Sequence, residues 1–592
     1  MTEKAKKIHI ELKGGESGIT SFAGLWPAVE LFRKSGLPDV IDSAVGARSS
    51  RGYRDSDHIL SLVLLHLSGG SAADHLPFLK EKLSFGKLGI SVPSPGALRT
   101  WLKEFHNGEE DGKRGMGKAF IPEENGHLKG LGTVLSRLFA FAAAHSPREH
   151  ITLDQDATFI ETEESGANWN YKGQKSYQAL NTYCPEYDLV AGSRYGDGNV
   201  PPGWKQQEEL ERILESLPEE VKGVSLRSDS AGYQTDLLTW CTEGKHGRFG
   251  YIPVGISCPV VEEFKKAVRA VPEEDWKPLD RKGRDGKQEG NGTVLEWAEI
   301  VYVPTNLGRK KHGRDYRYLA VRERWDGRLP SEKERQGDGT TEPEAEAEAV
   351  SSPGDQLYFT EAIRHLEEEV PGVKKLHLLE LKGRIYKTFG IVTNIEDGVD
   401  GETFGYGKGE PMDGEKIIRW QRKRSGKAEE IHHILKEELG GGHVPSKRFG
   451  ANAAWWTIAV LALNLHNLLK HSILPEEYGK SRPKSDPVSP LHHGWENSDA
   501  RETDCSEDLD RRPGRNALRL CHEETGAAAV HAGMKKSRAF HNSLSARKDI
   551  FRADGVYPQK GKDLKYLKKN NKERKRGNEN GSFPRPGSYP FT

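Results

Sequence analysis

Between His150 and Leu469 the chain alternates β-branched runs with amphipathic helices, which predicts an α/β fold. The expected architecture is a mixed sheet flanked by helices, with a helical N-terminal domain ahead of it and a β-rich insertion within it. EHITLDQDATFIE reads as the opening strand. NTYCPEYDLVAGSRYGDGN reads as two strands joined by a turn at Pro185–Asp188. Strand–helix alternation follows: the helix QQEELERILESL, the strand GVSLRSDSA, a helix from Tyr233 to Cys241, and the strand FGYIPVGI.

Residues 1–145 carry apolar positions at helical spacing in LWPAVELFRKSGL and HILSLVLLHLSGG, each closed by glycine. In VPSPGALRTWLKEF, Ser94 suits an N-cap and Pro95 the first helical position. A bundle of short helices with basic surface residues suits a DNA-binding domain, though an ordinary helical domain has the same pattern. Residues 146–261 form the first part of the sheet domain. Residues 262–415 are the β-rich insertion, with the strand-like WAEIVYVP, YRYLAVRERW and LHLLELKGRIYKTFGIVTN around an acidic tract at 331–356 expected to be disordered. Residues 416–480 complete the sheet domain with two helices, KAEEIHHILKEELGGG and NAAWWTIAVLALNLHNLLK.

Composition excludes several classes. The 592 residues hold 88 basic and 88 acidic side chains, so nucleic-acid binding must rest on local rather than net charge. Five scattered cysteines contain no CxxC pair, arguing against a zinc site or disulfide framework. The N-terminus has no apolar segment of the signal-peptide kind. The longest apolar stretch, Ala451–Leu469, is interrupted by Asn452, Thr457, Asn464, His466 and Asn467, which suits a buried helix rather than a membrane span. A cytoplasmic, nucleoid-associated protein is expected.

Three carboxylates stand where an α/β sheet places its chemistry. Asp156 is expected at the end of the first strand, with Asp154 as competitor, and Asp229 at the end of the strand in VSLRSDSA. Glu429, with Glu430 as competitor, lies on the later helix, and Lys436 returns to nearly the same azimuth seven residues on. Ala428, Ile431, Leu435 and Leu439 occupy another face. Carboxylates delivered to one point by rigid elements suit divalent metal and phosphoryl transfer. Spacing alone leaves the commoner readings open, namely a turn or cap aspartate and a solvated Glu/Lys pair.

Taken together, LDQDAT, RYGDGN, LRSDSAGY and WQRKRSGKAEEIHHILKEEL resemble the DDE transposases of bacterial insertion sequences. More narrowly, the chain resembles the branch with a Tyr/Trp–Arg–Glu–Lys motif and a β-rich insertion; HVPSKRFGANAAWWTIAVLALNL is similar to one subgroup. The resemblance implies an RNase H-like sheet and a metal-binding triad of Asp156, Asp229 and Glu429. It also implies DNA contacts from Trp420, Arg424 (with Arg422 as competitor) and Lys436. Arg424 stands one residue further from Glu429 than the family spacing. The implied cofactor is a pair of Mg²⁺ ions, with Mn²⁺ able to substitute. The implied reaction is cut-and-paste transposition by a homodimer acting on transposon-end inverted repeats and target DNA. The alternative is a decayed copy that only binds transposon ends.

The segment 481–592 departs from this pattern. After Lys484 helical periodicity is lost, and reading plausible codons one nucleotide later yields a peptide similar to the family's helical tail, so a disordered or frameshifted tail is expected. Its basic run KGKDLKYLKKNNKERKR suits DNA backbone contact or a solvated tail.

Overall fold

Glycine-closed apolar periodicity yields the N-terminal helices α1 (Trp26–Lys34), α2 (Leu37–Ala44) and α3 (Asp55–Leu67). Then come α4 (Leu76–Leu83), α5 (Pro95–Lys103), a single helical turn at Gly108–Asp111 and the long α6 (Gly126–His145). The Ser94 hydroxyl accepts from the Ala97 amide and Pro95 opens α5, as the sequence predicts. The computed structural model describes residues 10–11, 19–20, 25–48, 52–83, 90–115, 118–279, 295–304, 316–325, 377–472, 482–483, 495–496, 519–520 and 530–531. The acidic tract 331–356 and nearly all of the 481–592 tail lie outside the described residues. The described residues belong to one unit, Met1–Ser506 with Ala517–Ala532.

The sheet begins with β1 (His150–Glu161), β2 (Lys175–Cys184) and β3 (Leu189–Asp197). β2 pairs antiparallel with β1 and β3, Asp156 standing opposite Asn181. After α7 (Gln206–Ser216), β4 (Gly223–Ser228) adds parallel to β1. After α8 (Thr235–Glu243), β5 (Val254–Cys258) adds parallel to β4. This is the mixed sheet flanked by helices that the α/β expectation requires.

The β-rich segment does not start a new sheet. Past α9 (Glu262–Arg269), its strands are β6 (Leu295–Ile300), β7 (Arg317–Arg324), β8 (Leu378–Leu381) and β9 (Arg384–Thr393). β9 pairs antiparallel with β5 through Gly390–Thr393, so these four strands join the same sheet, which with the two-residue strands Asn168–Trp169 and Lys277–Pro278 has eleven strands among the described residues. They carry a separate apolar cluster including Trp297, Leu319, Val321, Ile391, Met412 and Trp420.

Three further helices return to the sheet: α10 (Gly414–Arg422), α11 (Lys427–His433) and α12 (Phe449–Ser472). α11 continues as one π-helical turn, Ile434–Glu438, in which the Leu439 amide bonds the Ile434 carbonyl. α12 is buried along nearly its whole length. Its polar residues are the reason it lies in protein: Asn464 bonds both the amide and the carbonyl of Val190, at 2.8 and 2.9 Å, and Asn467 bonds the Asp188 carbonyl. Trp456 reaches the Ser193 hydroxyl and Trp455 the Gly440 carbonyl. Gly450 is required by close approach, since a Cβ there would stand 2.0 Å from the Phe105 carbonyl oxygen. No described helix is long and apolar enough to cross a membrane.

Candidate active site

Asp156 is not at the end of β1, as the sequence reading has it: the strand continues five residues further, to Glu161, held by β2. The strand ends on one edge only. Pairing with β4 stops at Gln155 opposite Ser228, so the β4 edge of β1 is open from Asp156 onward. Turn signals cannot reveal such a one-sided termination, because the chain itself does not turn there. Asp229 follows the last residue of β4 and caps a short 3₁₀ turn, its carboxylate accepting from the Ala231 amide at 3.0 Å.

These placements bring three distant segments together. Burial pushes the Asp156 carboxyl up to about 7, opposed by the Arg424 guanidinium and reinforced by the negative charges of Asp229 and Glu429. Glu429 lies exposed near the start of α11, while Ala428, Ile431, Leu435 and Leu439 are buried on its other side, as helical periodicity predicts. Each competing acid is engaged elsewhere. Asp154 is 4% exposed and gripped by Arg227 through both oxygens, at 2.6 and 2.7 Å. Glu430 accepts from Arg482 and pairs with Lys427.

The cations around the carboxylates are less uniform. Arg424 Nη1 stands 3.3 Å from Asp156 Oδ2, and the side chain is buried with Nε and Nη1 making no hydrogen bond. Lys436 reaches the Phe159 carbonyl at 3.4 Å, a main-chain oxygen on the open edge of β1 beyond Asp156. The π turn breaks the constant 100° step on which the Glu429/Lys436 azimuth expectation rests. Arg422 lies over the Phe389 ring.

Trp420 lies inside the protein. Its ring is 1% exposed, packed edge-on against Phe404 and under the Arg227 guanidinium, so no face is open to a base in this arrangement. The burial has a local cause: a Cβ at Gly255 would meet the indole at 2.7 Å, so the glycine in β5 lets the ring close on the sheet. Arg227 then bonds the Trp420 carbonyl at 2.6 Å.

Two features escape sequence reasoning. Arg227 joins β1, β4 and α10 from inside the sheet; a charged residue in a strand with both faces covered is its one sequence signal. Asp188, read above as a turn residue, is buried with φ +53° and binds Tyr183, Lys427, Lys470 and His471. Lys427 stands two residues before Glu429, so this network anchors the start of the helix that carries it. His432, buried on α11, is pushed down to about 3 by burial and then by Lys436 and Arg424.

The donor set suits a hard divalent ion, being three carboxylates of which one is buried and destabilised by its own charge. Among the described residues no three His, Cys, Asp or Glu side chains are clustered closely enough to hold a metal ion. The three carboxylates are electrostatic neighbours, with the Arg424 guanidinium beside Asp156.

Comparisons with known proteins bear on this geometry. No curated protein matches the chain by sequence. A solved piggyBac transposase synaptic complex with hairpin DNA is similar over 79% of this chain and 78% of its own, at 10% identity and a TM-score of 0.35, values too low to carry an argument. The model of the transposase DDE domain matches residues 147–465, from the start of β1 through most of α12 and more than half of the chain. The three carboxylates all fall within that span, and the chain belongs to the family of proteins with a transposase DDE domain.

Proposed function

We propose that the chain is a DNA transposase that cuts and joins DNA by metal-assisted phosphoryl transfer, with Asp156, Asp229 and Glu429 as the metal-binding carboxylates. The observation that carries the proposal is the shared charge of these three side chains, supplied from β1, the end of β4 and α11. Mg²⁺ ions bound between them, with Mn²⁺ able to substitute, would activate the attacking oxygen and stabilise the leaving one.

The chain's own residues set the conditions for that chemistry. An Asp156 carboxyl raised to about 7 is partly protonated near neutral pH, and binding an ion there would release that proton. Arg424, whose Nε and Nη1 make no hydrogen bond, would supply its positive charge to a phosphate if Asp156 turned to a bound ion. Lys436, whose ammonium reaches the Phe159 carbonyl on the open edge of β1, would take a second phosphate. The reaction sequence is strand cleavage at each transposon end, attack of the freed 3′-hydroxyl on the opposite strand to give a hairpin, and strand transfer to target DNA. Each step is an in-line phosphoryl transfer that one site can perform, and two ends held together call for a homodimer on DNA. Nucleoid association follows from this substrate.

The test is a cleavage assay on DNA carrying the inverted repeats that flank the gene, with Mg²⁺ or Mn²⁺. Cutting and joining by the wild type, lost in Asp229→Ala with DNA binding retained, supports the proposal. Retained binding with no cutting by the wild type establishes an end-binding protein without catalysis, and cutting without strand-transfer products establishes a nuclease.

A further inference from the structure

Beyond Asp156, β1 and β2 run on together and end in a turn that exposes two aromatic rings. Trp169 is 56% and Tyr171 75% exposed, well above Tyr53, Trp204 and Tyr251 at 36–38%. Lys175 Nζ lies over the Trp169 ring and Lys172 Nζ over Phe159, whose ring meets Tyr171 edge-on. Neither lysine has an ion-pair partner among the described residues, so both charges are available to an anion.

The turn is built rather than loose. The buried Asn170 side chain accepts from the amides of Lys172 and Gln174 and donates to the Ser176 hydroxyl, and Gly173 takes the left-handed φ of +76°. At its base the buried Asp197 binds both the amide and the side chain of Asn168. Arg114 clamps Asp197 and the Gly166 carbonyl from the helical side. Exposed rings on so fixed a frame lose little freedom on binding.

Register places the platform relative to the carboxylates. Trp169 pairs with Lys175, which shares the face of Tyr177; Tyr177 stands opposite Ile160, on the face of Asp156. The Thr162 amide bonds the Lys175 carbonyl, so Trp169 stands six positions beyond Asp156, about 20 Å along the sheet and across β2 from β1, with the buried Ile160 and Tyr177 on the face between.

We propose that the Trp169–Lys175 turn is a stacking platform for unpaired DNA bases, with Lys172 and Lys175 taking the adjoining phosphates. The inference rests on the transposase reading for its choice of nucleic acid. The acidic stretch Glu161, Glu163 and Glu164 leads into the turn, so stacking rather than net charge must supply the affinity.

The experiment uses the full chain, fluorescein-labelled oligothymidine and a blunt duplex of generic sequence, read by fluorescence anisotropy. Trp169→Ala is expected to weaken oligothymidine binding roughly five- to 150-fold while leaving duplex binding unchanged, and Trp169→Tyr to restore most of it. Exposure of the ring predicts an unchanged melting temperature for both variants. Salt dependence is expected to be shallow, with a log–log slope of about −1.4 for two phosphates on a single strand. Equal oligothymidine binding by wild type and Trp169→Ala would overturn the platform. So would wild-type binding to duplex alone, or a loss of self-association in Trp169→Ala with DNA binding intact, which would make the turn a contact between copies. Failure of the transposase reading is distinct, being no cutting of gene-flanking DNA by the wild type.

Discussion

Arg227 holds Asp154 through both carboxylate oxygens, and that one pairing separates two aspartates the sequence places side by side. With Asp154 committed to the sheet interior, Asp156 is the acid left facing Asp229 and Glu429. The distinction is measurable. Asp154→Ala strands a buried guanidinium and is expected to destabilise the fold by about 3–5 kcal/mol. Asp156→Asn is expected to fold normally and abolish cleavage. Urea unfolding and the cleavage assay, run on both variants, should show opposite patterns.

Asp156 also makes stability depend on pH. Its folded pKa is raised to about 7 from about 3.9 in an unfolded chain, so the folded state binds the extra proton between those values. The stabilising contribution is fully present below about pH 4 and is lost as pH rises through about 7. Metal-free wild type should therefore lose, relative to Asp156→Asn, on the order of a few kcal/mol between about pH 4 and pH 8. Denaturant midpoints across that range check this; parallel curves for the two proteins would contradict it.

Arg424 is the strongest influence holding the Asp156 pKa down. Arg424→Gln removes it, so the acid limb of the cleavage–pH profile is expected to move to higher pH. A one-unit displacement lowers the rate roughly tenfold at a neutral pH on that limb, and higher Mg²⁺ should recover part of it. An unmoved profile would place Arg424 outside the electrostatics of the site.

Asp188 tests the anchoring of the Glu429 helix. Burial opposes its charge, yet His471, Lys470, Lys427 and Tyr183 together hold its pKa well below the usual carboxylate range. Its contribution is present above about pH 4 and lost as pH falls further. Asp188→Asn is expected to lower stability by about 2–4 kcal/mol at neutral pH and to slow cleavage, because Lys427 loses a partner at the N-terminus of α11. Thermal melts and turnover measured on the same preparation check both effects.

Periodicity and cap chemistry are properties of neighbouring residues, so the sequence alone determined the strands around Asp156 and Asp229, the Ser94 cap, the buried stripe of α11 and the apolar α12. The DDE relationship was legible too, since it lies in ordered local motifs. Tertiary structure decided what depends on partners far along the chain. It released Asp156 by ending one edge of β1, committed Asp154 to Arg227, and buried Trp420 against Gly255. It also joined the β-rich strands to the existing sheet through Gly390–Thr393. Burial and charge pairing are set by what arrives from elsewhere, and no local pattern records that.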